Sequence, residues 1–389
     1  MDNILHTIKT HMRQYAMVVA LVSIMILFQI LTEGILLKPL NVTNLVLQNS
    51  YILVLAIGML LCILTGGNID LSVGSTAAFV GAVSATFIIT FNMPVVPAIA
   101  MSLVIGAFVG AWQGYWIAYV RIPAFIVTLS GMLVFRGLTM VILKGRTLAP
   151  FPVSYQKIAS GFIPDFFGNG EGLHITTILI GVLASLFYLF TELRSRRGKQ
   201  KYDFSVSSMP VFALKVAVLM SVINLFTYWL ARYKGIPNVL VLLIVLILAY
   251  SFMTNKTIAG RHIYAFGGNE KAAKLSGVKT NRVLFGVYVN MSILAALAGI
   301  IFAGRLNAAT PKAGNLFELD AIASCFIGGA SATGGVGTIV GAIIGGLIMG
   351  VLNNGMSIMG ISIDWQQTIK GLVLLFAVAF DVYTKTKSK

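Results

Sequence analysis

Few side chains in this sequence could do acid–base, nucleophilic or metal chemistry, and those few do not stand at the spacing such chemistry needs. Of four histidines, His6 and His11 lie in the N-terminal tail, His174 opens an apolar segment, and His262 sits in a basic island. No His-Glu-x-x-His, Cys-x-x-Cys or Gly-x-Ser-x-Gly pattern occurs, so zinc-bound water, dithiol redox and nucleophile-elbow mechanisms have no constellation to run on. The one Gly-Lys, Gly198-Lys199, is followed by Gln200 rather than the Ser or Thr of a phosphate loop. If nucleotide hydrolysis drives this protein, another chain performs it; no cofactor and no metal site are expected here. Cys62 and Cys325 lie in apolar runs 263 residues apart, which indicates neither a disulfide framework nor a metal site.

The ionisable groups within apolar surroundings are sparse. Asp70, in Asn68-Ile69-Asp70-Leu71-Ser72, precedes a new apolar run. It reads either as a helix N-cap or as the buried carboxylate of an ion-coupled carrier. Glu318 and Asp320 precede a helical piece and read as caps in the same way. Arg136 lies inside an apolar segment and should face a partner or a cavity. Around these stand neutral hydrogen-bonding groups, among them Gln113, Asn290, Asn353 and Asn354, with Trp112, Trp116 and Trp365 nearby. Such a set suits a polyhydroxylated, uncharged solute, although each member also reads as an interhelical hydrogen bond. The candidate pathway residues are Asn68, Asp70, Gln113, Arg136 and Asn353.

Residues 260–282, GRHIYAFGGNEKAAKLSGVKTNR, form a polar, basic island between apolar segments. Gly267-Gly268-Asn269 breaks the chain, and 270–276 reads as a short helix ending at Gly277. Glu270 in its first turn and Lys274 in its last both suit the helix dipole. A short capped helix held on a membrane face by two spans is a rigid knob for a soluble partner to grip.

The elements that must position these residues are membrane spans. Hydrophobic residues make up 58% of 389 positions, charged residues 10%, and mean hydropathy is +0.91, against about 25% charged residues in soluble domains. The chain reads as an all-α polytopic membrane protein. At ~20 apolar residues per crossing it has room for roughly ten to twelve helices. Eleven apolar segments run at about 16–37, 50–66, 73–91, 95–119, 125–143, 174–193, 211–232, 236–254, 283–303, 334–354 and 366–382. Sixteen of the 28 Lys and Arg fall in 1–15, 191–203, 255–282 and 383–389. Beside apolar spans such clusters mark the cytoplasmic side, so the net charge of +16 does not imply a nucleic-acid partner. Both termini are expected in the cytoplasm. That requires an even number of crossings, so the glycine-rich piece 316–333 should complete an extra one with broken helices.

Two glycine-rich breaks stand out, at 65–75 (TGGNIDLSVGS) and 328–337 (GGASATGGVG). Irregular backbone at membrane depth is tolerated only inside protein or beside a water-filled cavity. Paired breaks in two halves of a chain point to a transport pathway, and two tight turns are the alternative. Gly106, Gly110 and Gly114 share a helix face, as do Gly337, Gly341 and Gly345, with Gly346 and Gly350 on an adjacent face. These faces read as close helix packing.

LTGGNIDLSVGS (64–75), IPAFIVTLSGMLVFRG (122–137), GRHIYAFGGNEKAAKLSGV (260–278) and FELDAIASCFIGGASATGGVGTIVGA (317–342) together resemble permease subunits of bacterial ABC sugar importers of the ribose, galactose and xylose type. Residues 144–240 exceed the shorter ribose-type pattern, and YQKIASGFIPDFFG and YKGIPNVLVLL there look most like xylose and multiple-monosaccharide permeases. The resemblance implies one transmembrane permease domain over 1–389, with 144–240 an extension carrying extra spans and a basic cytosolic loop, and 255–282 a cytosolic coupling loop. The family's coupling motif falls on Gly267, Gly268, Asn269, Glu270, Ala272, Ala273, Leu275 and Gly277. Implied partners are cytosolic ATPase subunits that bind ATP and Mg, a periplasmic sugar-binding protein, a second permease copy (a homodimer) and the lipid of the inner membrane. The competing expectation is an ion-coupled sugar carrier acting alone through Asp70.

Overall fold

The computed structural model describes residues 12–168, 172–202, 204, 206 and 208–387. The N-terminal basic residue Lys9 and the terminal Lys389 lie outside the described residues. Among those described the chain is helical throughout, and nine helices are long and apolar enough to cross a membrane. All eleven apolar segments are helices: α1 Met12–Leu31, α2 Pro39–Leu64, α3 Val73–Ala85, α4 Val95–Ala118, α5 Ala124–Leu143, α7 Ile175–Lys201, α8 Met209–Ala231, α9 Asn238–Lys256, α12 Thr280–Leu306, α14 Ile339–Ile358 and α15 Ile363–Lys387. The sequence did not signal α6, Val153–Ser160, or the helical first half of the island, α10 Ile258–Gly268. The knob is α11, Glu270–Leu275, and the half-apolar piece carries α13, Phe317–Ile327.

The ends of these helices gather at two faces. Loops tied by the Leu148–Ala309 and Phe162–Pro237 bridges mark one, together with the paired amides of Asn41 and Asn354. The other holds α10, α11, Arg121 and the end of α2. Helix α13 starts just beyond Ala309 at the first face. The loop after it reaches the second, where Gly335 N–H donates to Leu64 O at 3.0 Å. Eleven residues of helix cover only ~16 Å, so the glycine-rich 328–337 completes the crossing in irregular backbone. The stretch expected to add a crossing therefore runs from one face to the other, half helix and half loop.

Helix α2 forms the centre, with 83% of its apolar window buried. A helix apolar on every side belongs inside a bundle or in lipid, and α12, α13, α14 and α9 enclose this one. The glycine faces do the packing read for them, except that Gly337 precedes α14, whose cap is Thr338, and so lies on no helix face. Gly106, Gly110 and Gly114 set α4 against α12, where a Cβ at Gly110 would lie 2.6 Å from Tyr288 O. Gly341 and Gly345 face Gly328 and Ser324, while Gly346 and Gly350 face Leu53 and Asn49 of α2. Without a hydrophobic force between helices in lipid, such backbone approach supplies the attraction. In the 144–240 section, α7 and α8 pack on each other at the rim and reach the bundle through α2.

Candidate functional site

The island folds into two helices with a sharp joint. Thr257 caps α10, its hydroxyl accepting from Gly260 N–H. Asn269 takes extended backbone and caps α11, its Oδ1 accepting from Ala272 N–H at 3.0 Å. At the other end Gly277 adopts φ +86°, and Val278 N–H returns to Ala273 O at 3.0 Å. That is a left-handed glycine termination satisfying orphan carbonyls. The chain breaks at Asn269 itself, since Gly267 and Gly268 belong to the last turn of α10.

The eight motif residues divide by environment. Ala273 is buried and seats α11 on the bundle, while Leu275 is 90% exposed. Gly268 is exposed, and nothing lies within 4 Å of where its Cβ would be. Gly267 is the opposite case: its Cβ would stand 1.7 Å from Leu64 O and 2.5 Å from Gly335 N. Glu270 accepts from Arg121 at 2.7 Å, and the same guanidinium donates to Asn281 at the start of α12. Arg121 thus braces α11 to the α4–α5 turn and to α12. Its placement with the island on one face was the signal that could have found this brace.

Around Gly267 the two glycine breaks meet. Gly67 approaches Ala332 O, where a Cβ would fall 2.1 Å away, and Gly334 lies against Gly66. Three backbone pieces therefore converge without side chains between them: the ends of α2 and α10, and the loop after α13. Beside this junction is a cavity of about 410 Å³ lined by Asn68, Arg121, Gly268 and Glu270.

The five candidate pathway residues do not converge on one site. Asp70 and Gln113 are linked through Ser72, which donates to Asp70 Oδ1 from its amide (2.8 Å) and hydroxyl (2.6 Å); Gln113 Nε2 donates to Ser72 Oγ at 2.7 Å. The α3 N-cap position belongs to Ser72, so Asp70 holds the turn before the helix, two residues earlier than a cap would stand. Its Oδ2 is buried without a partner. Asn68 donates to Thr65 O within its own loop at 2.6 Å. Arg136 reaches Asn315 at 3.4 Å toward the far face, and Asn353 lies beside the Asn354–Asn41 pair. Glu318 and Asp320 stand in the first turn of α13 rather than at its cap, which is Leu316. There they favour the helix dipole. Asp320 also accepts from Lys370 of α15 at 2.9 Å with both side chains largely buried, a contact that 50 residues of separation concealed.

Among the described residues no group of three or more His, Cys, Asp or Glu is placed to hold a metal ion.

The xylose transport system permease protein XylH of Escherichia coli K12 is 38% identical over 379 residues, covering 97% of this chain and 94% of that protein. The Haemophilus influenzae protein of the same name is 37% identical over 377 residues, 97% of this chain and 98% of its own length. The ribose import permease protein RbsC of E. coli K12 is 36% identical over 341 residues, 88% of this chain and 85% of that protein. No solved structure matches. The family model described as branched-chain amino acid transport system / permease component matches residues 41–378, and the chain belongs to that family.

Proposed function

We propose that this chain is the membrane-spanning subunit of an ATP-driven importer, passing a monosaccharide of the xylose type across the inner membrane. The observation that carries the reading is the braced knob: α11 presents Leu275 and the open Gly268 outward while Gly267, one residue away, is locked into the glycine junction. The family description names amino acids and the full-length relatives name sugars. Uncharged amides along the bundle favour the sugar. Hydrolysis belongs to a separate ATPase subunit that grips α11, and a binding protein delivers substrate at the opposite face. Both chain ends then lie on the cytoplasmic side with α11. Closure of the ATPase pair displaces two docked α11 helices, one from each permease copy. The junction carries the displacement to α2 and the α13 loop, biasing a two-state switch of access. Uptake by proteoliposomes containing the chain, with its ATPase, ATP and binding protein supplied or withheld singly, tests this. Uptake should require every component, and a sugar panel would identify the substrate.

The buried, unpartnered Oδ2 of Asp70 favours a second reading, an ion-coupled carrier working alone. Asp70→Asn separates the two. Asparagine Oδ1 can still accept from Ser72, so ATP-driven uptake persists in the first reading, whereas gradient-driven uptake by the isolated chain would vanish in the second.

A further inference from the structure

Between α9, α10 and α12, on the face that carries α11, lies an open cavity of about 570 Å³. That volume falls within the ~300–1,000 Å³ range of small-molecule sites. Its walls are mainly apolar, from Leu61, Met253, Val283 and Val287, while Lys279, Arg282 and His262 border it at the polar end. Arg282, Gly286 and Asn290 recur every four residues along one face of α12. The cavity therefore runs ~12 Å along the helix axis, from a guanidinium to an amide.

Its cations are unspent. Among the described residues, Lys279, Arg282 and His262 pair with no carboxylate. The island's one carboxylate, Glu270, is held by Arg121. At the inner end Asn290 accepts from Tyr250, and its Nδ2 has no partner. Nothing lies within 4 Å of a Cβ built on Gly286, so the middle of the cavity is unobstructed.

A free inorganic anion would use the charged end and leave the hydrocarbon walls wet. A neutral apolar solute would leave two fixed charges unused. A molecule with a phosphate at the membrane boundary and acyl chains below it satisfies both ends, as basic clefts between spans on the cytoplasmic side do for acidic headgroups. We propose that this cavity binds one anionic glycerophospholipid, its phosphate between Lys279 and Arg282 and an acyl chain along Val283 and Val287. The lipid bridges α10 to α12 immediately behind the coupling knob, so membrane charge becomes an input to coupling.

The test uses the full chain in nanodiscs of phosphatidylcholine doped with photoactivatable phosphatidylglycerol or photoactivatable phosphatidylcholine, followed by peptide mapping. Phosphatidylglycerol, and not phosphatidylcholine, should label the 279–290 stretch. Lys279→Gln with Arg282→Gln should lower that labelling about 25-fold at limiting lipid, about five-fold per basic residue removed. Gly286→Phe should block it with both charges intact, and neither variant should alter the melting temperature. Equal labelling by the two lipids, or no response to either variant, would reduce the site to annular lipid and overturn the proposal. Displacement by inorganic phosphate would overturn it in favour of a free-anion site. Loss of ATPase binding with unchanged lipid labelling would make the cavity a protein-docking surface instead.

Discussion

Gly267 and Gly268 adjoin in sequence and should respond oppositely to alanine. At Gly267 the new Cβ would stand 1.7 Å from Leu64 O. Real Cβ contacts essentially never fall under 3.0 Å, so that carbonyl must retreat by at least about 1.3 Å. The same oxygen accepts from Gly335 N–H at 3.0 Å, and the Cβ would also sit 2.5 Å from that nitrogen. Overpacking costs ~1–3 kcal/mol and a buried backbone hydrogen bond left unmade ~1–3 kcal/mol more. Alanine's better helix propensity returns at most ~1 kcal/mol, so Gly267→Ala should destabilise by about 1–5 kcal/mol. At Gly268 nothing lies within 4 Å, and Gly268→Ala should stay within ~0.5 kcal/mol of the parent. Thermal unfolding in detergent measures both stabilities, and ATP-driven uptake in proteoliposomes measures coupling. Gly267→Ala should lower the melting temperature. Gly268→Ala should melt with the parent yet, if α11 docks the ATPase as proposed, transport more slowly, because its added methyl meets nothing within this chain. A Gly267→Ala protein that melts and transports like the parent would refute the junction argument.

Three further perturbations separate the brace, the half-helix anchor and the α7 start. Arg121→Ala or Glu270→Gln removes a pair that is 42% and 39% exposed, so stability should change by no more than ~1 kcal/mol. ATP-driven uptake should fall well beyond that; unchanged uptake would dismiss the brace from coupling. Lys370→Met strands the buried Asp320 carboxylate and should cost ~3–5 kcal/mol, whereas replacing both partners with Lys370→Met and Asp320→Leu should recover most of it. Melting temperatures decide this, and a double variant no better than the single would count against the pair. Asp165, outside the spans, accepts from the Thr176 hydroxyl at 2.6 Å and from the Thr176, Ile175 and Phe167 amides, and the Thr176 bond holds its pKa well below the usual carboxylate range. Because the folded-state value is the lowered one, its contribution is complete above the ordinary value of ~4 and is lost as pH falls below it. Hydrogen exchange at the Ile175 and Thr176 amides should accelerate only in acid, and an Asp165→Asn chain should lose that dependence.

What could be read from the sequence was whatever a local pattern encodes. Runs of apolar residues located all eleven segments, four-residue glycine spacing gave the packing of Gly341, Gly345, Gly346 and Gly350 on α14, and Glu270 and Gly277 marked the ends of α11, whose N-cap proved to be Asn269 of the chain break. Helix ends were less legible: α2 begins at Pro39, well before the apolar run at 50, because its first turns carry Asn41, Thr43 and Asn44. Asn41 is satisfied by its tertiary pair with Asn354, invisible to a hydropathy window, while Thr43 bonds back to Pro39 O. The pathway set suffered most. Asp70 and Gln113 look like solute contacts as single polar residues, yet Ser72 links them in a fully buried hydrogen-bond chain. Partners 41 residues apart on different helices leave no periodic trace.

The junction explains why the breaks at 65–75 and 328–337 share a loose pattern. Each must bring a main chain within hydrogen-bonding distance of another at the face where α10 ends, and a side chain on either would hold them apart. Gly67 against Ala332 O, Gly334 against Gly66 and Gly267 against Leu64 O are three such approaches in one place. A contact made of backbone has no rotamers to absorb displacement, and close-packed interiors transmit strain rather than yield to it. Force applied at α11 therefore reaches two elements together: α2, the buried centre of the bundle, and the loop completing the α13 crossing. Helix α13 is anchored at its other end by Asp320 to Lys370 of α15, so a push on the loop works against a fixed point and tilts the half-helix. Among the described residues the rim pair α7 and α8 meets this path chiefly at α2.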